Sequence, residues 1–381
     1  MSAAQWRKAM NSAAAGSVSG LPVPARRTAS ADAQPAGPDA PTAPGTSMRW
    51  WQAVRRSVGP RHLAIALLLL VFPFVATPFL TFQVAGQALA LGLVALSLTF
   101  LSGYGGMVSL AQMTVAGIAG YTVAILGTSG TALSLNWPWG VAIAFALVIA
   151  TASSALIGWL SVRTEGIYTI MITLAMGVAF YYLALQNYSV FNGFQGFQRV
   201  YPPTVLDINW RSPVPFYFLV LFFALAGYFL VKHLARAPFG IALQGIRDNP
   251  RRMNALGYDV TAHRIAAYAV AGLIAAVGGV LLVWYNGLIT PGSIGTSWLI
   301  NILVIAVLGG MKHPIGPFLG AIVFVLLQTF AIDLIDRERF NLVIGGAFLA
   351  IVLFSPDGLL GLWARLRARL QRRRAVSTSV R

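Results

Sequence analysis

The chain has 381 residues, 57% of them hydrophobic and only 10% charged, with a formal net charge of +17. A soluble domain carries roughly 25% charged residues, so the composition excludes an ordinary water-facing surface and fits the bilayer as solvent. The basic residues collect in the N-terminal tail, one central polar stretch and the C-terminal tail, a positive-inside distribution that accounts for the charge without nucleic acid, and the lack of cysteine excludes disulfides and thiolate metal sites.

Residues 1–60 form a basic tail rich in Ala, Pro, Ser and Gly that cannot bury a core and reads as disordered, with an organellar transit peptide as the competing reading. Arg49, Trp50, Trp51, Arg55, Arg56 and Arg61 read as an interfacial anchor. Hydrophobic spans follow near 63–82, 84–101, 111–129, 138–161, 166–186, 214–233, 265–286, 298–311, 314–334 and 340–356. Six crossings before the central stretch and four after it place both tails and that stretch on one side, together with Arg163 and Lys312. The weakly charged loop 187–213, with Arg199, Asp207 and Arg211, then lies outside. The expected fold is all-α and polytopic, with about ten transmembrane helices over residues 61–360, both termini cytoplasmic, and an Arg-rich tail over 361–381 that can grip anionic lipid.

Glycines interrupt the spans in two places, LSGYGGMVSLAQ (101–112) and VLGGMKHPIGPFLGA (307–321). Both place Gly-Gly-Met between an incoming and an outgoing span, a faint internal echo. Gly316 and Gly320, four residues apart, permit close helix packing.

The central stretch APFGIALQGIRDNPRRMNALG, 237–257, is the longest polar segment between spans, within a loop of 234–264. Pro238 suits a first helical turn. Phe239, Ile241, Leu243 and Ile246 are expected to bury toward the membrane part, Pro250 to turn the chain, and Gly257 to end a second short helix in the left-handed conformation. Arg247, Asp248, Arg251 and Arg252 then face solvent, where a partner can push on them. The plainer alternative is an amphipathic loop lying on lipid headgroups.

Catalytic signatures do not emerge. There is no Walker phosphate loop and no G-x-S-x-G, Gly103–Gly106 lacks the dinucleotide spacing, and His62, His233, His263 and His313 show no metal-ligand spacing. No Asp or Glu falls at the middle of a span, which argues against proton coupling.

Several stretches resemble one family. GIALQGIRDNPRRMNALGYDVTAHRIAAYAVAGLIAAVGGVL is similar to the coupling loop and following span of ABC importer permeases of the branched-chain amino-acid, LivM type. LSGYGGMVSLAQMTVAGIAGYTVAIL, RTEGIYTIMITLAMG and LITPGSIGTSWLINILVIAVLGGMKHPIGPFLGA resemble further family motifs in the same order, over about residues 84–356. The resemblance implies a permease subunit of the bacterial inner membrane that performs no chemistry itself. It pairs with a second homologous permease, and a periplasmic solute-binding protein delivers the solute. Two cytoplasmic ATPases consume ATP and Mg, and this chain binds no cofactor. The resemblance also implies that Arg247, Asp248, Asn249, Arg251 and Gly257 belong to the element that docks on an ATPase. One departure is NGFQGF, 192–197, where the family often has Gly-Gly-x-x-Gly, so that one glycine is replaced by Asn192 or shifted.

Polar residues within spans are pathway candidates or interhelical glue: Gln87, Ser109, Gln112, Thr114, Tyr121, Tyr168, Thr169, Thr173, Asn301 and Gln328. Broken-helix ends suit a zwitterion, so Gly103, Gly105, Gly106 through Ser109, and Gly309, Gly310 through Pro314, are expected to supply pathway-lining backbone or an inner gate. Urea, short amides or aromatic acids suit the same architecture. A self-sufficient carrier or channel and a lipid-binding scaffold are the readings from other classes.

Overall fold

The computed structural model describes residues 69–131, 133–164, 166–204 and 209–334, with 345–346, 349 and 358–361. The expectations for the tail 1–60, the anchor at 49–61, Asp207, the Arg-rich tail beyond Gly361 and most of the span 340–356 lie outside the described residues.

The described chain is mostly helical, and five helices are long and apolar enough to cross a membrane. The first, α1, spans Leu80–Gly105, with its opening turns Leu80–Gly86 wound as a π-helix. After it come α2 (Gln112–Leu126), α3 (Trp139–Ser161) and α4 (Ile167–Gln186). A loop carries strand β1 (Phe197–Gln198), and α5 (Pro213–Arg236) leads into two short helices, α6 (Pro238–Asp248) and α7 (Pro250–Ala255). The last part comprises α8 (Val260–Asn286), strand β2 (Leu288–Ile289), α9 (Thr296–Gly309) and α10 (Gly316–Leu334).

These bounds match the expected spans to within a few residues, with one correction. The expected break between the first two spans, at residue 83, falls inside a continuous helix running from 78 to Gly105. The chain breaks instead at Ala76–Thr77, before Pro78. Proline has no N–H to donate and is tolerated in a first helical turn, so Pro78 opens the helix. The all-α expectation also gains a small antiparallel ribbon, Phe197 opposite Ile289 and Gln198 opposite Leu288.

The core is built around α8, which packs against α1, α2 and α3. Small residues set these contacts. A Cβ on Gly279 would meet the backbone of Ala116 in α2, one on Gly278 would meet Val94 in α1, and one on Gly272 would meet Ser154 in α3. With no aqueous driving force between apolar helices, close approach and interhelical hydrogen bonds hold such a bundle. Ser154 Oγ accordingly donates to the Tyr268 carbonyl at 2.7 Å, and the Ser161 and Tyr268 hydroxyls lie 3.1 Å apart. By contrast α4 exposes Ile167, Tyr168, Met171, Tyr182 and Leu183 along its length.

At 15 and 14 residues, α2 and α9 are about 22 and 21 Å long, short of the ~30 Å hydrocarbon thickness. A bilayer tolerates non-helical backbone at the ends of such short helices only where protein buries it.

Candidate functional site: the platform and the helix breaks beneath it

The platform α6–α7 forms because Pro238 and Pro250 each occupy a first helical turn. Asn249 caps α7, its side chain accepting from the Arg252 amide at 3.0 Å. Gly257, at φ +89°, takes the left-handed turn that ends the platform, and Asp259 then caps α8 through the Ala262 amide at 2.9 Å.

The inner face of α6 is Gly240, Ala242, Leu243 and Ile246, all buried, while Phe239 is half-buried and stacks on His263 with ring centroids 5.9 Å apart. Ile241 departs from the expectation: it is 62% exposed. The helical repeat explains this, since 240, 243 and 246 share one side and 241 shares the opposite side with 248. Gln244 donates to the Ala235 and Gly240 carbonyls, closing the corner between α5 and α6. Ile241, Arg251, Arg252, Leu256 and Tyr258 remain exposed. Three of these, Ile241, Leu256 and Tyr258, are large and apolar. The sequence reading put Ile241 on the inner face and did not single out Leu256 or Tyr258; Ile241 is out of phase with the inner stripe of α6.

Arg247 is placed differently from Arg251 and Arg252. Its guanidinium donates to the Gly103 carbonyl at the end of α1, and it also pairs with Asp248 at 2.9 Å. Its stem lies over Gly106, where a Cβ would come within 2.5 Å of Arg247 Cγ. Gly106 closes α1 at φ +67°, a left-handed cap for which glycine carries no Cβ penalty. A Cβ on Gly103 would meet the Met311 carbonyl, just past the end of α9. Thus the end of α1 at Gly103–Gly106 lies beneath the platform and approaches the chain at Met311, just past Gly309 and Gly310. The Gly-Gly-Met echo has a structural counterpart there: in each copy the second glycine ends a helix at positive φ, +67° at Gly106 and +102° at Gly310.

Beyond the junction, Ser109, Gln112 and Thr173 are almost wholly buried and tie elements together. Ser97 Oγ donates to Gln112 Oε1 at 3.1 Å, and the Leu110 amide donates to Thr173 Oγ1 at 3.1 Å, linking the start of α2 to α1 and α4. Tyr168 lies on the exposed face of α4 and Asn301 is half-buried in α9, both apart from this cluster. Among the described residues no group of His, Asp and Glu has the arrangement of a metal site.

At the opposite end of the bundle lies the departure at 192–197. Asn192 takes the left-handed conformation at φ +57°, and its amide donates to the Gly196 carbonyl at 2.7 Å. Asn tolerates that conformation better than other non-glycine residues. Gly196 sits against the Ile289 carbonyl with no room for a side chain, which lets β1 reach β2.

A family model described as branched-chain amino acid transport system / permease component matches residues 80–353. The high-affinity branched-chain amino acid transport system permease protein LivM of Salmonella typhimurium is 23% identical over 351 residues, covering 81% of this chain and 80% of that protein. LivM of Escherichia coli is 24% identical over 335 residues, covering 80% and 76% respectively. A probable LivM of Methanocaldococcus jannaschii is 25% identical over 204 residues, covering 49% and 58%. No solved structure matches the chain.

Proposed function

Since the chain belongs to the family of branched-chain amino acid transport permease components, we propose that it is one membrane half of an ATP-driven importer for branched-chain amino acids in the bacterial inner membrane. It is a multi-pass transport component, not an enzyme. In this reading the chain makes ten crossings with both termini cytoplasmic, pairs with a second homologous permease, and receives solute from a periplasmic binding protein. Two cytoplasmic ATPases consume ATP and Mg.

The observation that carries the mechanism is the bond from Arg247 to the Gly103 carbonyl. It joins the platform to the end of α1, beside the end of α9. Two surfaces of the platform then have separate tasks. Ile241, Arg251, Arg252 and Leu256 meet an ATPase, and Arg247, with Asp248 fixing its guanidinium, passes the displacement to the helix ends. Asn249 and Gly257 hold the platform's shape.

Ile241→Glu and the double variant Arg251→Glu/Arg252→Glu test this reading. Each is expected to lose ATPase co-purification and ATP-dependent valine uptake while the chain stays in the membrane. Normal co-purification and uptake in both would refute the docking face.

A further inference from the structure

At the end of the bundle away from the platform, a groove of about 290 Å³ lies between α3, α5 and α8, and Pro202, Pro203 and Trp210 complete its lining. Its body is Ile143, Leu147, Leu219, Phe223, Val280 and Leu281, and no charged, amide or hydroxyl side chain lines it. It follows α3 from Trp139 to Leu147, about 12 Å along the helix axis. That is most of the depth of one leaflet, half of the ~30 Å hydrocarbon layer. Two of its three indoles, Trp139 and Trp284, stand where α3 begins and α8 ends, and the third, Trp210, precedes α5. Tryptophan concentrates at the membrane–water boundary, so this is the interfacial end of the groove.

Water gains nothing in such a groove. A buried water needs two to four polar partners, and these walls present apolar carbon. Left empty, the walls forfeit their packing contacts. The bilayer supplies an occupant. At the same depth α3 exposes Phe145 and Val148, and α5 exposes Phe222 and Leu225, faces suited to acyl chains. An apolar cavity of about 150 Å³ holds the six carbons of benzene, so this groove holds about a dozen carbons.

A cation stands at the interfacial end. Arg211 follows Trp210, is exposed, and places its guanidinium 3.9 Å from the centroid of the Tyr201 ring. Tyr201 in turn precedes Pro202 of the lining. Gly287 lies three residues past Trp284, and a Cβ there would touch both the Tyr201 ring and Arg211 Nη2. Three segments that each line the groove therefore bring Arg211 to its rim. A guanidinium held there suits the phosphodiester of a lipid whose acyl chain lies below.

We propose that this groove binds a phospholipid of the leaflet farther from the platform, with one acyl chain between α3, α5 and α8 and the phosphodiester on Arg211. The site needs only that the chain spans a membrane and is independent of the importer reading above. From this groove α5 runs to Arg236 and turns at Ala237 into the platform helix α6. The bound acyl chain therefore packs the helix that carries the platform against α3 and α8, where protein side chains leave a gap.

The test places the full-length chain, alone and with its co-purifying subunits, in nanodiscs of phosphatidylglycerol bearing a photoactivatable group on one acyl chain. Val280 and Leu281 are 4% and 1% exposed, so lipid passing over the surface labels Phe222 and not them. Illumination is expected to label Val280 or Leu281 in both preparations. Leu219→Trp and Val280→Trp fill the groove from two sides. Each is expected to lower the label on Leu281 at least tenfold, with the Phe222 label unchanged. Arg211→Gln is expected to lower it about fivefold. Label confined to exposed residues such as Phe222 overturns the site, and in the complex alone it would show that another subunit covers the groove. Label on Leu281 that neither tryptophan variant lowers overturns it equally. An unchanged label in Arg211→Gln overturns the headgroup contact.

Discussion

Replacing Arg247 by Met removes the guanidinium and keeps an aliphatic stem over Gly106. The bond lost runs from a charged donor to the neutral Gly103 carbonyl, a type that contributes about 1.5–3 kcal/mol when shielded. The Arg247 side chain is 40% exposed, so solvent competition lowers that to about 1 kcal/mol. Asp248, at 68% exposure, is already solvated and is left with no buried charge. If the bond acts only when the platform drives the helix ends, about 1 kcal/mol becomes about a fivefold loss of coupling. The assay is the ratio of ATP hydrolysis with solute-loaded binding protein to hydrolysis without it, in the reconstituted complex. Arg247→Met is expected to lower this ratio about fivefold while ATPase co-purification stays normal, and Arg247→Lys to recover part of it. Loss of co-purification would show that Arg247 is a docking residue after all, and an unchanged ratio would refute the latch.

Asn249→Ala removes the cap of α7, worth about 1 kcal/mol, and should speed hydrogen exchange at the Arg252 amide about fivefold. Asn192→Gly should keep the loop and uptake near normal, because glycine adopts the same conformation. Asn192→Val, which pays roughly 1–2 kcal/mol in the left-handed region and loses the bond to Gly196, should lower the thermal midpoint of the purified chain. Gly309→Ala places a methyl against the Gly316 backbone; overpacking of this kind costs about 1–3 kcal/mol and should lower the same midpoint with the platform unaltered.

The spans were legible because the bilayer imposes a length and a composition that few other environments demand. The first break falls at Ala76–Thr77 and not at residue 83, because Pro78 opens the helix and Gln83 sits within it without interruption. Platform punctuation at Pro238, Pro250 and Gly257 was readable from local chemistry alone. The face of Ile241 was not, because an apolar residue among Phe239, Leu243 and Ile246 reads as a core contact until the phase of its helix is fixed. The position of Arg247 lay further out of reach: its partner Gly103 stands 144 residues away in the chain. For the same reason the glycine echo was visible as a pattern, while the approach of its two copies became apparent only with the fold.

Gly278 and Gly279 seat α8 so closely that a Cβ at either position would meet α1 or α2. Packing this close favours movement of the three helices together through any change of access. That gives spectroscopy a built-in ruler. Spin labels at the outward ends of α2 and α8 should hold a constant separation at every nucleotide state, and any pair that reports movement should have one member outside these three helices.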